Sequence, residues 1–202
     1  MPKIRCAPAS PYSAKVRMAA KYAGISFESV LTDTTNPSDD FLVANPLGKI
    51  PVLITDDGES IYDSRAITQY LNRVSRNALF PRNAAKRTEA ERLEALADGI
   101  CDTLLAHVYE RRFRPEEMWQ QSWLDLQWSK SMRGLDALNA NPPKLPKKIT
   151  AGHIAVRALL AYASLRFEGK WERGRSKLVR WAKRFDDKFP ELTEYLPKAP
   201  PA

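Results

Sequence analysis

The sequence predicts an α/β domain followed by an all-α domain, on three observations. From residue 3 to about 75, short β-type runs alternate with helical patterns, an order typical of strand–helix–strand units. From about residue 85 onward, the apolar spacing is helical almost throughout. Between the two parts, Leu79-Phe80-Pro81 interrupts both patterns. We therefore assign residues 1–76 to the first domain, 77–84 to a linker and 85–202 to the second domain.

The elements of the first domain follow from turn and cap signals. Residues 3–7 form an apolar strand, and residues 11–23 form a helix with Ser10 at its N-cap and Gly24 at its end. The remaining elements are a strand over 27–30, a short helix over 39–44, strands over 51–54 and 60–62, and a helix over 65–74. Asp56-Asp57-Gly58 is typical of a hairpin turn, so the last two strands are expected to pair.

The second domain is expected to be a bundle of several long helices. Pro115, a loop over 139–146 and a segment over 169–174 divide it. Cys6 and Cys101 stand far apart without metal-ligand spacing, which predicts two buried apolar residues. No stretch approaches the roughly 18 apolar residues of a membrane span, and the N-terminus lacks the apolar run of a signal peptide. We expect a cytoplasmic protein with no membrane partner and no metal.

The net charge of +8 belongs mostly to the second domain. Residues 1–80 contain 9 Lys or Arg and 8 Asp or Glu, and the rest of the chain contains 23 and 16. The densest region, residues 166–188, has nine cations and four acids, with apolar Leu178, Trp181 and Phe185 between them at helical spacing. This pattern is typical of a solvated helix face, so nucleic acid is not the expected partner, and an anionic partner is the alternative.

Four motifs carry a family resemblance. Residues 9–17 read A-S-P-Y-S-A-K-V-R, residues 45–53 read N-P-L-G-K-I-P-V-L, and residues 63–71 read D-S-R-A-I-T-Q-Y-L. The first is similar to the C-P-Y-C turn of thioredoxin-like proteins with serine at both cysteine positions. With T-A-G-H-I-A-V at 150–156, they resemble the cytosolic glutathione S-transferases over nearly the whole chain. The resemblance implies an N-terminal thioredoxin-like domain and a C-terminal helical bundle.

The resemblance also implies an activity. Bound glutathione, as co-substrate, would be activated as a thiolate that attacks a small electrophile, and the protein would be a homodimer. Serine-type relatives, similar to the theta and zeta classes, place the catalytic hydroxyl six residues before a helix-facing Val, as Ser10 stands before Val16. Ser10 is therefore the predicted catalytic residue, with Ser13 as second choice and Tyr12 as third. The alternative for Ser10 is a plain helix cap.

Six further positions are implied to bind glutathione, namely Asn36, Lys49, Ile50, Pro51, Asp63 and Ser64. The Ile50-Pro51 pair matches the family's cis-proline junction, where main-chain groups pair with an extended peptide. Asp63 and Ser64 open a helix, whose N-terminus favours a carboxylate. Lys49 and Asn36 lie where related classes contact the glycyl end, and solvent exposure is the alternative for Lys49.

A serine hydroxyl can activate the thiol of bound glutathione without a protein thiol. A thiol of pKa about 8.5 is only a few per cent ionised at neutral pH, and lowering its pKa by two units needs about 2.7 kcal/mol. A hydrogen bond to a charged group supplies about 1.5 to 3 kcal/mol. A helix N-terminus adds about 0.3 to 1 kcal/mol.

Two other functions compete with the transferase. A non-catalytic binding or regulatory protein of the same fold is the runner-up, since the basic second domain suits a partner surface. A thiol-disulfide oxidoreductase is less favoured because the motif holds no cysteine. His107 and His153 lack metal-like partner spacing, and the family usually has Asp where this chain has His153. His107 is expected either to line an electrophile pocket or to pack between helices.

Overall fold

The computed structural model, which describes residues 1–199, has a sheet with helices in its first part and helices alone in its second. The strands are β1 (Lys3–Cys6), β2 (Glu28–Leu31), β3 (Val52–Ile54) and β4 (Ser60–Ile61). The helices are α1 (Pro11–Tyr22), α2 (Asp39–Ala44), α3 (Ser64–Val74), α4 (Ala84–Phe113), α5 (Gln121–Ala140), α6 (Ala151–Phe167) and α7 (Ser176–Lys188). Two 3₁₀ turns lie at Glu116–Met118 and Pro190–Tyr195. The predicted α/β plus all-α class, with a thioredoxin-like first domain, is confirmed.

The sheet has the strand order β2-β1-β3-β4. Strand β1 runs parallel to β2 and antiparallel to β3, and β3 and β4 form the predicted antiparallel hairpin. Ile4 and Cys6 alternate on the buried face of β1, and both are fully buried. The central strand is therefore anchored in the core, so the loop that follows it is held at a fixed edge of the sheet.

Helix α1 is buried along most of its length. Every residue from 13 to 20 is buried, because the helix lies between α3 on one side and α6 on the other. Two of these residues, Lys15 and Arg17, are charged. Since a buried charge is unfavourable without a partner, α1 requires opposite charges or carbonyl groups from other elements.

The second domain packs around α6. Helix α4, which begins at Ala84, packs against α5 and α6, and most of α6 is buried. In α7, the apolar residues Leu178, Trp181 and Phe185 are buried, in agreement with the predicted solvated helix with one apolar face. Cys6 and Cys101 are free and buried, as predicted.

His153 caps α6 together with Thr150 at the start of the helix. Its Nδ1 atom lies 3.1 Å from the main-chain nitrogen of Thr150 and accepts its hydrogen bond. Its Nε2 atom lies 2.8 Å from the carbonyl oxygen of Lys144. Because a carbonyl only accepts, Nε2 carries the proton, and this cap is formed by the neutral imidazole. Burial lowers the pKa of His153, which favours this neutral form.

We expect this cap to weaken in acid. A histidine with a lowered folded-state pKa takes up its proton more readily in the unfolded chain, so its stabilisation is complete above the unfolded pKa of about 6.5 and is lost as pH falls. Between pH 7.5 and 5.5, the wild type should lose about 1 kcal/mol more unfolding free energy than His153→Asn. Urea unfolding at both pH values measures this, and an equal loss in the two proteins would contradict the assignment. Because both proteins contain His107, its titration contributes equally to the two losses and does not affect their difference.

Candidate active site

The β1–β3 pairing places the loop after β1 beside the segment before β3. Arg5 pairs with Val52 in the antiparallel ladder. Ala7 follows Arg5 by two residues and Ile50 precedes Val52 by two residues, so both lie just beyond this end of the ladder. The peptide bond that follows Ile50 is cis, as the resemblance implies.

The β3–β4 pairing adds the start of α3 to the same edge. Leu53 pairs with Ile61 in this ladder. Pro51 precedes Leu53 and Asp63 follows Ile61, each by two residues, and Ser64 is the first residue of α3. Ladder register thus aligns three of the predicted segments along one edge of the sheet.

Ser10 lies at this edge as the N-cap of α1. Its Oγ atom accepts a hydrogen bond of 3.1 Å from the main-chain N–H of Ser13. This bond uses a lone pair of the hydroxyl and leaves its proton for another acceptor. The half-buried Ser10 can therefore cap the helix and donate to a bound anion at the same time.

The two alternative hydroxyls have other partners. Ser13 is fully buried, and its Oγ accepts from the N–H of Ala7 at 3.4 Å, which ties the loop to the helix. The Tyr12 hydroxyl donates to the carboxylate of Asp102 on α4, and burial raises the pKa of this phenol. These contacts favour Ser10 among the three candidates, whose role stays a prediction.

The start of α3 offers donors and an acceptor. The Asp63 carboxylate caps the helix by accepting from the N–H of Arg65 at 3.0 Å. Ser64 is 4% exposed at the first helical position. A helix N-terminus with an adjacent hydroxyl suits a carboxylate, while the exposed Asp63 suits a cation.

Asn45 shapes the loop before the cis-proline, a role that the motif did not reveal. Its side-chain nitrogen donates to the carbonyl of Lys49 at 2.7 Å, and its oxygen accepts from the N–H of Leu47 at 3.1 Å. Lys49 itself is exposed beside the aligned edge. Asn36 is exposed in the loop between β2 and α2. Because β2 runs parallel to β1, this loop leaves the sheet at the same end as the loop after β1.

A buried charge network behind the site was missed by the sequence analysis. Lys15 is 1% exposed, and its Nζ atom lies 2.7 Å and 3.0 Å from the carboxylate oxygens of Asp98. The same atom lies 3.1 Å from Glu94, which also accepts from Thr68 at 2.9 Å. This network joins α1 and α3 of the first domain to α4 of the second.

Arg65 extends the network to the start of α3. Its Nε atom lies 2.9 Å from Asp98, and this bond raises the pKa of the guanidinium. Burial raises the pKa of Glu94, and the Lys15 ammonium opposes that shift. Two cations thus meet two carboxylates next to Ser64.

A sequence signal for the network existed. Glu94, Asp98 and Asp102 recur at intervals of four, which places three carboxylates on one face of α4. Lys15 lies within the apolar pattern of α1, where a cation requires a partner. Neither pattern identifies its partner residues on the other helix, because the two helices are far apart in sequence.

Within residues 1–199, no group of three or more His, Cys, Asp or Glu side chains is placed to hold a metal ion. Nor does any helix in that part of the chain have the length and apolar character needed to cross a bilayer.

Comparisons with known proteins decide the family. Residues 9–74 match the family described as glutathione S-transferase, N-terminal domain. A glutathione S-transferase from Methylobacillus flagellatus, crystallised with glutathione, is 34% identical with a TM-score of 0.90, over 98% of this chain and 100% of that one. The chain belongs to the glutathione S-transferase family.

Two further relatives support this assignment. A glutathione S-transferase from Methylobacterium radiotolerans, in complex with glutathione sulfonate, is 30% identical with a TM-score of 0.90, over 100% of this chain and 97% of that one. The GST-like protein YibF of Escherichia coli K12 is 35% identical over 130 residues. That alignment covers 64% of each of the two chains. The first, thioredoxin-like domain therefore carries the glutathione S-transferase motifs, and Ser10 and Ser64 lie within the matched region.

Proposed function

We propose that the chain is a glutathione transferase that activates the thiol of bound glutathione for attack on a small electrophile. The observation that carries the proposal is the Ser10 hydroxyl, which caps α1 through its lone pair and keeps its proton for a bound thiolate. Whole-length similarity to a glutathione S-transferase crystallised with glutathione supports it.

The residues at the aligned edge suit the chemistry of a γ-glutamyl tripeptide. Ser64 and the N-terminus of α3 would bind its γ-glutamyl carboxylate, and Asp63 would accept from its ammonium group. Ile50 lies outside the β1–β3 ladder, so its main-chain groups would pair with an extended peptide. Lys49 would attract the carboxylate at the other end, and the side-chain amide of Asn36 would donate a hydrogen bond to it.

Ser10 and α1 would supply the chemistry. The hydroxyl donates a hydrogen bond to the sulfur, and the N-terminus of α1 favours negative charge there. Both contributions are stronger for the thiolate than for the thiol, so they lower the pKa of the thiol. The bound co-substrate supplies the nucleophilic sulfur, and the protein needs no cysteine of its own.

Ser64→Ala tests the binding half of the proposal. Loss of one hydrogen bond to a carboxylate should raise the glutathione Kd about 10- to 150-fold, while the rate at saturation changes little. Titration calorimetry measures the Kd. The matched control is Ser176→Ala at the first residue of α7, which should leave the Kd unchanged. If Ser64→Ala behaves like this control, Ser64 only begins a helix.

We further propose a cytoplasmic homodimer. The cytosol keeps thiols reduced through glutathione, and both cysteines of this chain are free. Tyr62 and Leu96 are exposed large apolar residues on the two domains, which suits a two-fold interface between the first domain of one subunit and the second domain of its partner. Light scattering should give about twice the chain mass of 22.9 kDa. A monomer at micromolar concentration would contradict the proposal.

A non-catalytic binding protein is the competing function. One observation favours it: a probable elongation factor 1-gamma of Arabidopsis thaliana is 44% identical over 62 residues, or 29% of this chain and 15% of that protein. Retention on immobilised glutathione separates the two functions. The transferase proposal predicts retention and conjugation activity, whereas passage through the resin without activity would favour the binding protein.

A further inference from the structure

A cleft in the second domain lies apart from the candidate active site. It opens between α4, α5 and the segment after α6, and its volume is about 520 Å³. This size falls in the range of pockets that bind small molecules. None of its lining residues belongs to the aligned sheet edge or to the Lys15 network.

Three rings form the inner wall of the cleft. His107 on α4, Trp128 on α5 and Phe167 on α6 contact one another, with ring centroids 5.2 to 5.8 Å apart. Such tilted and edge-on contacts leave flat ring surface for a further ring. The wall therefore suits a planar, apolar group.

His107 adds one polar position to this wall. It is 7% exposed, and its Nδ1 atom has no hydrogen-bond partner among residues 1–199. Burial lowers the pKa of His107, as do the nearby cations Arg111 and Lys170, while Asp125 opposes the shift. The imidazole is therefore neutral at pH 7, and its packing against the other two rings leaves the Nδ1 atom without a hydrogen bond.

The rim of the cleft is cationic. Arg111, Lys170 and Arg173 line it, against the single carboxylate of Asp125. The ion pairs found within residues 1–199 include none of these three cations. Two of them have weaker partners. The Nε of Arg173 donates to the carbonyl of Gly169 at 3.2 Å, and the Arg111 guanidinium lies 5.0 Å from the centroid of the Trp119 ring. An excess of two positive charges at the mouth of a cleft attracts anions.

We propose that this cleft binds a flat aromatic carboxylate, with its ring against Trp128 and Phe167 and its carboxylate at Arg111 and Lys170. The rings select a planar body, and the cations select the acid. Neither feature alone specifies the ligand, because a bare anion would leave the ring wall uncovered and a neutral arene would leave the cations without a counter-ion. The cleft shares no residue with the sheet edge where glutathione is proposed to bind.

Calorimetry with 2-naphthoate tests the proposal. The protein is first saturated with S-methylglutathione, so that the glutathione positions at the sheet edge are occupied. We expect binding below about 1 mM, and an affinity at least about 10-fold lower in the double variant Arg111→Gln/Lys170→Gln. The matched control is Arg112→Gln/Lys177→Gln, which removes two exposed cations outside the cleft and should change the Kd less than about twofold.

A gain of affinity gives a second, independent readout. Asp125→Asn removes the one carboxylate of the cleft and should tighten 2-naphthoate binding a few-fold, which general loss of folding does not imitate. The proposal is overturned by absence of binding at about 1 mM, by equal affinities in the double variant and its control, or by inorganic phosphate binding as tightly as 2-naphthoate. Displacement of 2-naphthoate by S-methylglutathione would place it at the sheet edge instead, and would also overturn the proposal.

Discussion

Ser10→Ala is expected to lower kcat/KM for conjugation about 10- to 150-fold at pH 7, with the glutathione Kd changed less than about threefold. The reason is that, in the proposed complex, the hydroxyl would contact the sulfur, whereas the proposed contacts of Ile50, Asp63 and Ser64 with the rest of the tripeptide would remain. The loss should shrink as pH rises, because hydroxide then ionises the thiol without help from the protein. Steady-state rates with an aryl halide from pH 6 to 9 measure both effects.

Two further variants separate catalysis from helix capping. Ser10→Ala also removes an N-cap, which costs about 1 kcal/mol of stability. Asn83→Ala removes the N-cap of α4, where the side chain accepts from the N–H of Lys86 at 3.1 Å, and should cost a similar stability without slowing conjugation. Ser10→Thr keeps the hydroxyl and should retain most of the rate. Equal rates for Ser10→Ala and Asn83→Ala would mean that Ser10 only caps α1 and has no role in catalysis.

Lys15→Met is expected to destabilise the protein by about 3 to 5 kcal/mol. Methionine fills nearly the same space, so the loss arises from charge rather than packing. Without the ammonium, Glu94 and Asp98 remain buried, and only Arg65, whose side chain is 51% exposed, still neutralises one of them. Because these residues join α1 to α4, docking of the two domains should weaken as well.

Urea unfolding followed by tryptophan fluorescence measures this effect. Lys21→Met, in the last turn of the same helix, replaces an exposed lysine and should change the unfolding free energy by less than about 0.5 kcal/mol. Adding Glu94→Gln and Asp98→Asn to Lys15→Met removes the stranded charges and should recover part of the loss. If Lys15→Met matches Lys21→Met within about 1 kcal/mol, the network contributes little to stability.

The elements of the fold were predictable because local signals mark their ends. Gly24 adopts a positive φ of 73° after α1, and Gly58 a φ of 87° in the hairpin turn, conformations that glycine favours. Predicted strand ends differ from the observed ends by a residue, as with 27–30 against Glu28–Leu31, because the last pairing partner depends on the neighbouring strand. Local patterns thus located the elements but not their register.

The candidate site was predictable only in part, because local patterns do not contain strand register or contacts between distant residues. The motifs singled out Ser10, Ile50 and Ser64 as candidates, and their roles stay predictions. Their placement at one end of the sheet follows from the strand pairing, which no single motif contains. The Lys15–Asp98 pair lay outside prediction because its members are 83 positions apart. The His153 cap was unexpected because an imidazole replaces a carboxylate only when its other nitrogen has an acceptor, here the carbonyl of Lys144.

Titration of the bound thiol tests the central claim, that Ser10 stabilises the glutathione thiolate, most directly. The ultraviolet absorbance of the thiolate is followed against pH with glutathione bound to the wild type, to Ser10→Ala and to Ser13→Ala. We predict that Ser10→Ala raises the apparent pKa of the bound thiol by about one to two units, and that Ser13→Ala, whose hydroxyl is buried against Ala7, leaves it unchanged. A shift in Ser13→Ala alone, or in neither variant, would contradict the claim.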